Sequence, residues 1–452
     1  MDSIRNLKQP KIKTNIPGPN AKKLIKLREN NVANTLSTTV PTFINRGEGA
    51  MVEDVDENIF IDFASGIGVL NIVYAVPEVV EAVKKQAEKF FHSSINVLLY
   101  ESYILLAKKM NEITPGNFRK KTMFFNSGAE ANENAIKIAK YFTKKNHMIS
   151  FYDGFHGRTY GTMSLNGTTK VHSLVPGPHA SDIHKIPYGH CYRCSYGLER
   201  ESCNIRCAEA LNEIFKTEVP AKDIAAVILE PIQGNGCFIT PPEEFINRLI
   251  DICKENKILL IADEIQIGFC RSGKWFGSSY WKEAPDILTS AKSIAGGLPL
   301  SAVTVKKEII DSLPVGMLGG TFAGNPLACV AGLKVLSIME RDKLAEKAQK
   351  IGIIMRNRFE IMKEKFPIIG DIKGGKGALV GLEFVKNRSS KEPAKEELDI
   401  IIEDCYKNGL ILLVGGRYSN GIRPLMPLVI TEDQLNCGLD ILEKAIMKVN
   451  NQ

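Results

Sequence analysis

No apolar run in this sequence approaches the length needed to cross a bilayer, which excludes a membrane-spanning helix. The N-terminal stretch MDSIRNLKQPKIK has no apolar core, which removes a secretory signal and predicts a soluble, cytoplasmic protein. Dense basic runs are missing too. The 58 Lys and Arg residues against 51 Asp and Glu leave a net charge of +7 spread along the chain, which offers no track for nucleic acid. What remains is globular: 44% hydrophobic and 24% charged residues, over a length of 452 that predicts two domains rather than one core. Ten cysteines in an intracellular chain are expected to be reduced, with one cluster set apart below.

The stretch from Ile258 to Pro299 carries the strongest signal. The short apolar run Ile258-Leu259-Leu260-Ile261-Ala262, closed by Asp263-Glu264, reads as a strand buried on both faces. Acids at the end of such a strand lie at the carboxyl edge of an α/β sheet, where ligands bind. Further on, Lys292 stands among small residues before Gly296-Gly297. Desolvation there lowers a lysine's pKa and suits it to Schiff-base chemistry. A surface lysine and a capping aspartate would be the bland alternative for either residue alone.

Similar strand-then-loop units recur. Met123-Phe124-Phe125 feeds Asn126-Ser127-Gly128-Ala129, and Ala131, Ala135, Ile138, Ala139 and Phe142 then repeat at helical spacing. That geometry aims backbone N–H groups and a helix dipole at an anion, with Ser127 a natural N-cap. Ile149 to Tyr152 reads as a strand before Gly154-Phe155-His156-Gly157-Arg158-Thr159, and Ala225 to Ile232 as another, ending at Glu230 with Asn235 beyond. Two strand-like pieces lie between Phe43 and Phe63, with Asp54 to Asn58 as the turn. Residues 1–40 are polar and lysine-rich, and Pro17-Gly18-Pro19 is expected to bar regular structure in an arm that wraps the body.

Two motifs stand apart from this pattern. Gly268-Phe269-Cys270-Arg271-Ser272-Gly273-Lys274 fits G-x4-G-K, yet Trp275 follows where a P-loop needs Ser or Thr for magnesium, so it is rejected as a nucleotide site. Cys191, Cys194, Cys203 and Cys207 form a C-x2-C followed by a C-x3-C. Metal, disulfides and free thiols all remain open for these four, and no metal site is assigned.

Taken in order from about Phe43 to the C-terminal helix, the motifs resemble the class III, fold type I aminotransferases that use pyridoxal 5'-phosphate. Ala291 to Gly297, Gly319 to Pro326 and Gly409 to Leu413 are worded most like the 4-aminobutyrate enzymes. The resemblance implies an α/β fold: a large domain with a mostly parallel seven-stranded sheet covered by helices, and a small α+β domain built from the C-terminal part and the N-terminal segment. The implied spans are 1–65 for the arm and strands joining the small domain, 66–335 for the cofactor domain and 336–452 for the small domain.

By the same resemblance Lys292 carries the cofactor as a Schiff base and Asp263 pairs with its ring nitrogen. Gln266 bonds its phenolic oxygen, and Phe155 and Ile265 press on opposite ring faces. Ser127, Gly128 and Ala129 hold the phosphate, Thr321 reaches the phosphate of the neighbouring subunit, and His156 and Glu230 order the pocket. Ile67 lies on the loop at the substrate entrance, Arg158 binds a distal carboxylate, and Arg423 an α-carboxylate. The partners implied are an amino acid, 2-oxoglutarate and a second copy in a homodimer with shared sites, with tetramers left open.

Three places depart from the family's wording. The turn glycine is replaced at Glu57 or Asn58, the histidines before Pro77 give way to Val73-Tyr74-Ala75-Val76, and Asn235 stands where the 4-aminobutyrate and ornithine enzymes carry glutamate. Neutral Asn235 cannot pair with Arg423, which leaves that arginine open to an α-carboxylate. This keeps open an amino-acid racemase or epimerase of the same fold as an alternative to 4-aminobutyrate transamination; an ornithine- or acetylornithine-type aminotransferase is the other alternative the resemblance leaves.

Overall fold

The first three strands, β1 (Ile44–Glu48), β2 (Met51–Asp54) and β3 (Ile59–Asp62), form an antiparallel meander. They belong to a computed structural model that describes residues 3–168, 170, 174–175 and 180–450. The chain separates into two units, Pro77–Ala345 and the combination of Met1–Val76 with Glu346–Gln452. The turn between β2 and β3 demands a left-handed residue, and Glu57 supplies it with φ +61° where glycine would be at ease.

The unit Pro77–Ala345 is built on seven strands: β4 (Lys120–Phe125), β5 (His147–Phe151), β6 (Ile183–Ile186), β7 (Ile224–Leu229), β8 (Leu259–Asp263), β9 (Ile287–Ser290) and β10 (Ser301–Lys306). Their order across the sheet is β4-β10-β9-β8-β7-β5-β6, and only β10 runs against its neighbours. All six residues of β7 are buried, as an uninterrupted apolar strand requires. Val227 and Leu229 pack on one face, in a core shared with Leu211, Phe245 and Leu249 of helices Arg206–Thr217 and Glu243–Glu255. Ala226 and Ile228 face the opposite core with Ala131, Ala135 and Ile138 of helix Gly128–Thr143. Covering both faces leaves the carboxyl edge as the place where polar loops collect.

The other unit adds β11 (Ile369–Lys376), β12 (Leu379–Asn387), β13 (Glu392–Pro393), β14 (Leu410–Ile411), β15 (Val414–Gly415) and β16 (Gly421–Ile422). β14 lies parallel to β3 and completes the first sheet, while β11-β12-β16-β15 with β13 forms a second. The Pro17-Gly18-Pro19 triplet does not keep residues 1–40 irregular. Pro19 is instead the first residue of helix Pro19–Asn31, where its missing N–H costs nothing and its fixed φ suits the turn. Asp56 accepts the N–H groups of Asn20 and Ala21 at 2.7 and 2.8 Å, which anchors that helix to the β2–β3 turn.

In the same unit, Ser65, Gly66, Ile67 and Gly68 all have positive φ (47°, 60°, 66° and 77°), one turn of left-handed helix with Ile67 exposed. The Asp62 carboxylate accepts the N–H groups of Ala64 and Ser65 and the hydroxyl of Tyr74, so Tyr74 has a defined task in place of the family's histidines.

Candidate active site

The cluster at the carboxyl edge grows from the ends of adjacent strands. Asp263 ends β8 and lies opposite Thr289 of the parallel neighbour β9, and Lys292 follows three residues later. Asp263 is buried, and its Oδ2 lies 2.7 Å from His156 Nδ1 and 2.8 Å from Asn132 Nδ2, which donates to it. The same Asn132 amide donates to the His156 carbonyl at 2.8 Å, while Thr289 donates to Asn132 Oδ1 at 2.8 Å. One oxygen of Asp263 is thus fixed by two side chains, and Oδ1 accepts the Ile265 N–H at 3.1 Å.

Glu230, just past β7, ties the neighbouring loops together. Its Oε1 accepts the N–H of Phe155 and its Oε2 that of Gly234, each at 2.9 Å. Burial lifts its carboxyl to about 7; the nearby His156 opposes that rise and the Asp263 charge adds to it. Glu264 is also buried, with its carboxylate on the N–H groups of Gly277 and Ser278, and burial lifts it to about 7 as well.

Ser127 caps helix Gly128–Thr143, its hydroxyl accepting the Glu130 N–H at 3.2 Å. The Ala131 N–H goes to the Ser127 carbonyl, which leaves the first-turn N–H groups of Gly128 and Ala129 without an acceptor among the described residues. Two glycines keep the cradle open. A Cβ on Gly128 would stand 2.9 Å from Ile265 Cδ1, and one on Gly234 would stand 2.0 Å from Gln266 Oε1. A buried carboxylate, a helix N-terminus with free donors and a lysine beyond the adjacent strand fit a phosphorylated pyridine aldehyde.

The fold therefore brings Ser127, Gly128, Ala129, Phe155, His156, Glu230, Asp263, Ile265, Gln266 and Lys292 to one sheet edge. Lys292 itself sits at φ +49°, a backbone state lysine disfavours. Arg158 is exposed, Asn235 half-buried in the turn closed by the Gln233–Ile239 bridge, and Thr321 exposed on the way into helix Pro326–Arg341. Ile67 and Arg423 belong to the other unit, where Arg423 donates its N–H to Leu413 and its Nε to the Val414 carbonyl.

Asn132 and Thr289 went unrecognised in the sequence. A signal existed for Asn132, a polar residue at helical spacing from Ala135 and Ala139, and the fold buries it fully. Thr289 offered none within its short buried strand.

The remaining motifs resolve differently. Gly268 to Lys274 forms a turn with Arg271 wholly buried rather than a phosphate loop. Cys191, Cys194, Cys203 and Cys207 are free thiols, and among the described residues no three His, Cys, Asp or Glu side chains converge as metal ligands. Burial pushes the Cys207 thiol up to about 11.

The aminotransferase class-III family model matches residues 32–446. The chain is similar to a probable 4-aminobutyrate aminotransferase of Bacillus subtilis, 44% identical over 89% of this chain and 92% of that one. It is also similar to a leucine/methionine racemase of Thermococcus litoralis, 40% identical over 91% of this chain and 92% of that one. Among solved structures, a PLP-bound amine transaminase from an uncultivated Pseudomonas species superposes with a TM-score of 0.84 at 27% identity, covering 92% of this chain and 96% of that one. The cofactor of this family is pyridoxal 5'-phosphate, and the chain belongs to the class III aminotransferases.

Proposed function

We propose that this enzyme moves the amino group of an ω-amino acid, 4-aminobutyrate foremost, to 2-oxoglutarate, giving succinate semialdehyde and glutamate in the cytoplasm. The observation that carries the reading is the buried Asp263–His156–Asn132 network beside the strand that leads to Lys292. Bound there, pyridoxal 5'-phosphate supplies an aldehyde that takes up an amine and a ring that accepts electrons when a carbon beside nitrogen loses its proton.

The protein's part follows from its residues. Asp263, braced by His156 and Asn132, holds the proton on the ring nitrogen. Gly128 and Ala129 offer N–H groups to the phosphate beside the Ser127 cap, Gln266 bonds the phenolic oxygen, and Phe155 and Ile265 flank the ring. Glu230 keeps the Phe155 and Gly234 loops in register. Lys292 Nζ removes the proton from the substrate carbon that bears nitrogen. Arg158, exposed beside the Phe155–His156 loop, meets the far carboxylate of 4-aminobutyrate.

A second copy completes the site. Phe91, Val97, Leu98, Leu99 and Phe322 are 62–79% exposed, and their segments adjoin, since Asn325 donates to the Phe91 carbonyl at 3.2 Å and the His92 ring packs at a tilt against Phe322. That apolar surface includes Phe322, the chain neighbour of the exposed Thr321, and suits burial in a homodimer that carries Thr321 to the partner's phosphate.

Asn235 favours one second reading, racemisation of an α-amino acid, and the similarity to a leucine/methionine racemase supports it. Mixing the cofactor-loaded enzyme with 4-aminobutyrate and no oxo acid tests both. Conversion of the cofactor's absorbance to its amine form supports transamination. Absence of that change, together with deuterium exchange at Cα and loss of optical activity of L-leucine, favours racemisation.

A further inference from the structure

One helix position beyond Asn132 lies a carboxylate with no part in the chemistry above. Glu133 Oε1 accepts the Thr159 hydroxyl at 2.6 Å and the Thr162 N–H at 3.1 Å, and the two threonine hydroxyls lie 2.7 Å apart. Gly161 packs so tightly on this carboxylate that a Cβ there would be 2.5 Å from Oε2. Gly157, at φ +144°, is equally confined, since a Cβ would meet Thr162 Oγ1 at 2.4 Å and Ala129 Cβ at 2.9 Å. On the other side, Asn166 accepts the His156 N–H at 2.7 Å and donates to the Gly157 carbonyl at 2.8 Å.

Arg158 is the residue between these two clamps. Its backbone is pinned on both flanks while its side chain is exposed. We propose that Glu133 is a positioning residue that fixes the pivot of Arg158 and so sets recognition of the substrate's distal carboxylate. The inference rests on the reading of Arg158 as that carboxylate's partner. Because Thr159 and Thr162 occupy Oε1, the acid is held on the loop rather than on the guanidinium, which keeps the arginine's charge for the substrate. A planar guanidinium needs its pivot in place to meet a carboxylate through two parallel hydrogen bonds.

The test compares 4-aminobutyrate with n-butylamine, the same chain without the carboxylate, in the single half-reaction of the loaded enzyme. Glu133→Ala should raise the 4-aminobutyrate concentration needed for half the limiting rate about 10- to 100-fold, with the limiting rate nearly unchanged and the butylamine reaction untouched. Glu133→Gln, which keeps one acceptor, should restore most of the loss, and Thr159→Val should reproduce part of it in a chain with its helix acid intact. Equal losses for both amines, or weakened cofactor binding, would overturn the proposal. Arg158→Ala separates the two layers: if it leaves the preference for 4-aminobutyrate intact while Glu133→Ala abolishes it, the reading of Arg158 is wrong and the pivot proposal falls with it.

Discussion

The proposed cofactor side and the proposed substrate side of unit Pro77–Ala345 are built in opposite ways. Around Asp263 the polar side chains of His156, Asn132 and Thr289 are buried and bonded to one another or to the acid. Around Arg158 and Asn235 the side chains are exposed or half-buried, and only the backbone is fastened. The difference separates what must not vary from what can. An acid that holds a ring proton needs one geometry in a low-dielectric surrounding, whereas groups that greet different amino acids gain from reach. Relatives that transaminate 4-aminobutyrate and relatives that racemise leucine can then share one frame.

The comparison can be broken most directly at the chemistry. Lys292→Ala should slow the half-reaction with 4-aminobutyrate by at least about 10³-fold, the scale of losing a nucleophile, with an unchanged circular dichroism spectrum. Asp263→Asn should lower kcat by about 10²- to 10³-fold, whereas Arg158→Ala should act mainly on KM. Steady-state kinetics in which Arg158→Ala lost more kcat than Asp263→Asn would invert the assignment of the two sides.

Titration sharpens the same contrast. The Glu230 carboxyl titrates near 7 in the fold, above its ordinary 4.5, so folding takes up a proton between those values. Its contribution to stability is complete below pH 4.5 and declines as pH climbs to 7. The native chain should therefore lose stability relative to Glu230→Gln from pH 5 to 7, by at most about 1.4 kcal/mol per pH unit. Denaturant unfolding at several pH values measures it; a relative gain with rising pH would place the carboxylate in a different environment. The smallest effect belongs to Ile67, where Ile67→Gly should raise stability by about 1 kcal/mol, read from the denaturation midpoint, by releasing left-handed strain in an exposed residue.

Much of this was legible in the sequence because buried parallel strands announce themselves. Ala225 to Leu229 and Leu259 to Ala262 are apolar without interruption, and the acids that follow mark the carboxyl edge. Ser127 could be read as a cap because its chemistry is local. Asn132 and Thr289 act across more than a hundred residues of chain, and nothing near either names its partner. The Pro17-Gly18-Pro19 triplet misled because proline's effect depends on its place. It stops a helix from within but starts one at the first turn, and only the fold reveals which applies.

The backbone of Lys292, at φ +49°, carries a further consequence. Glycine or asparagine would rest more comfortably there, so thermal endurance and turnover pull this position in different directions. A laboratory selection that rewards heat resistance alone would find its gain at the lysine proposed to carry out the reaction. Any library built to toughen this protein must screen for amino-group transfer in every round, or it will enrich sturdy catalysts of nothing.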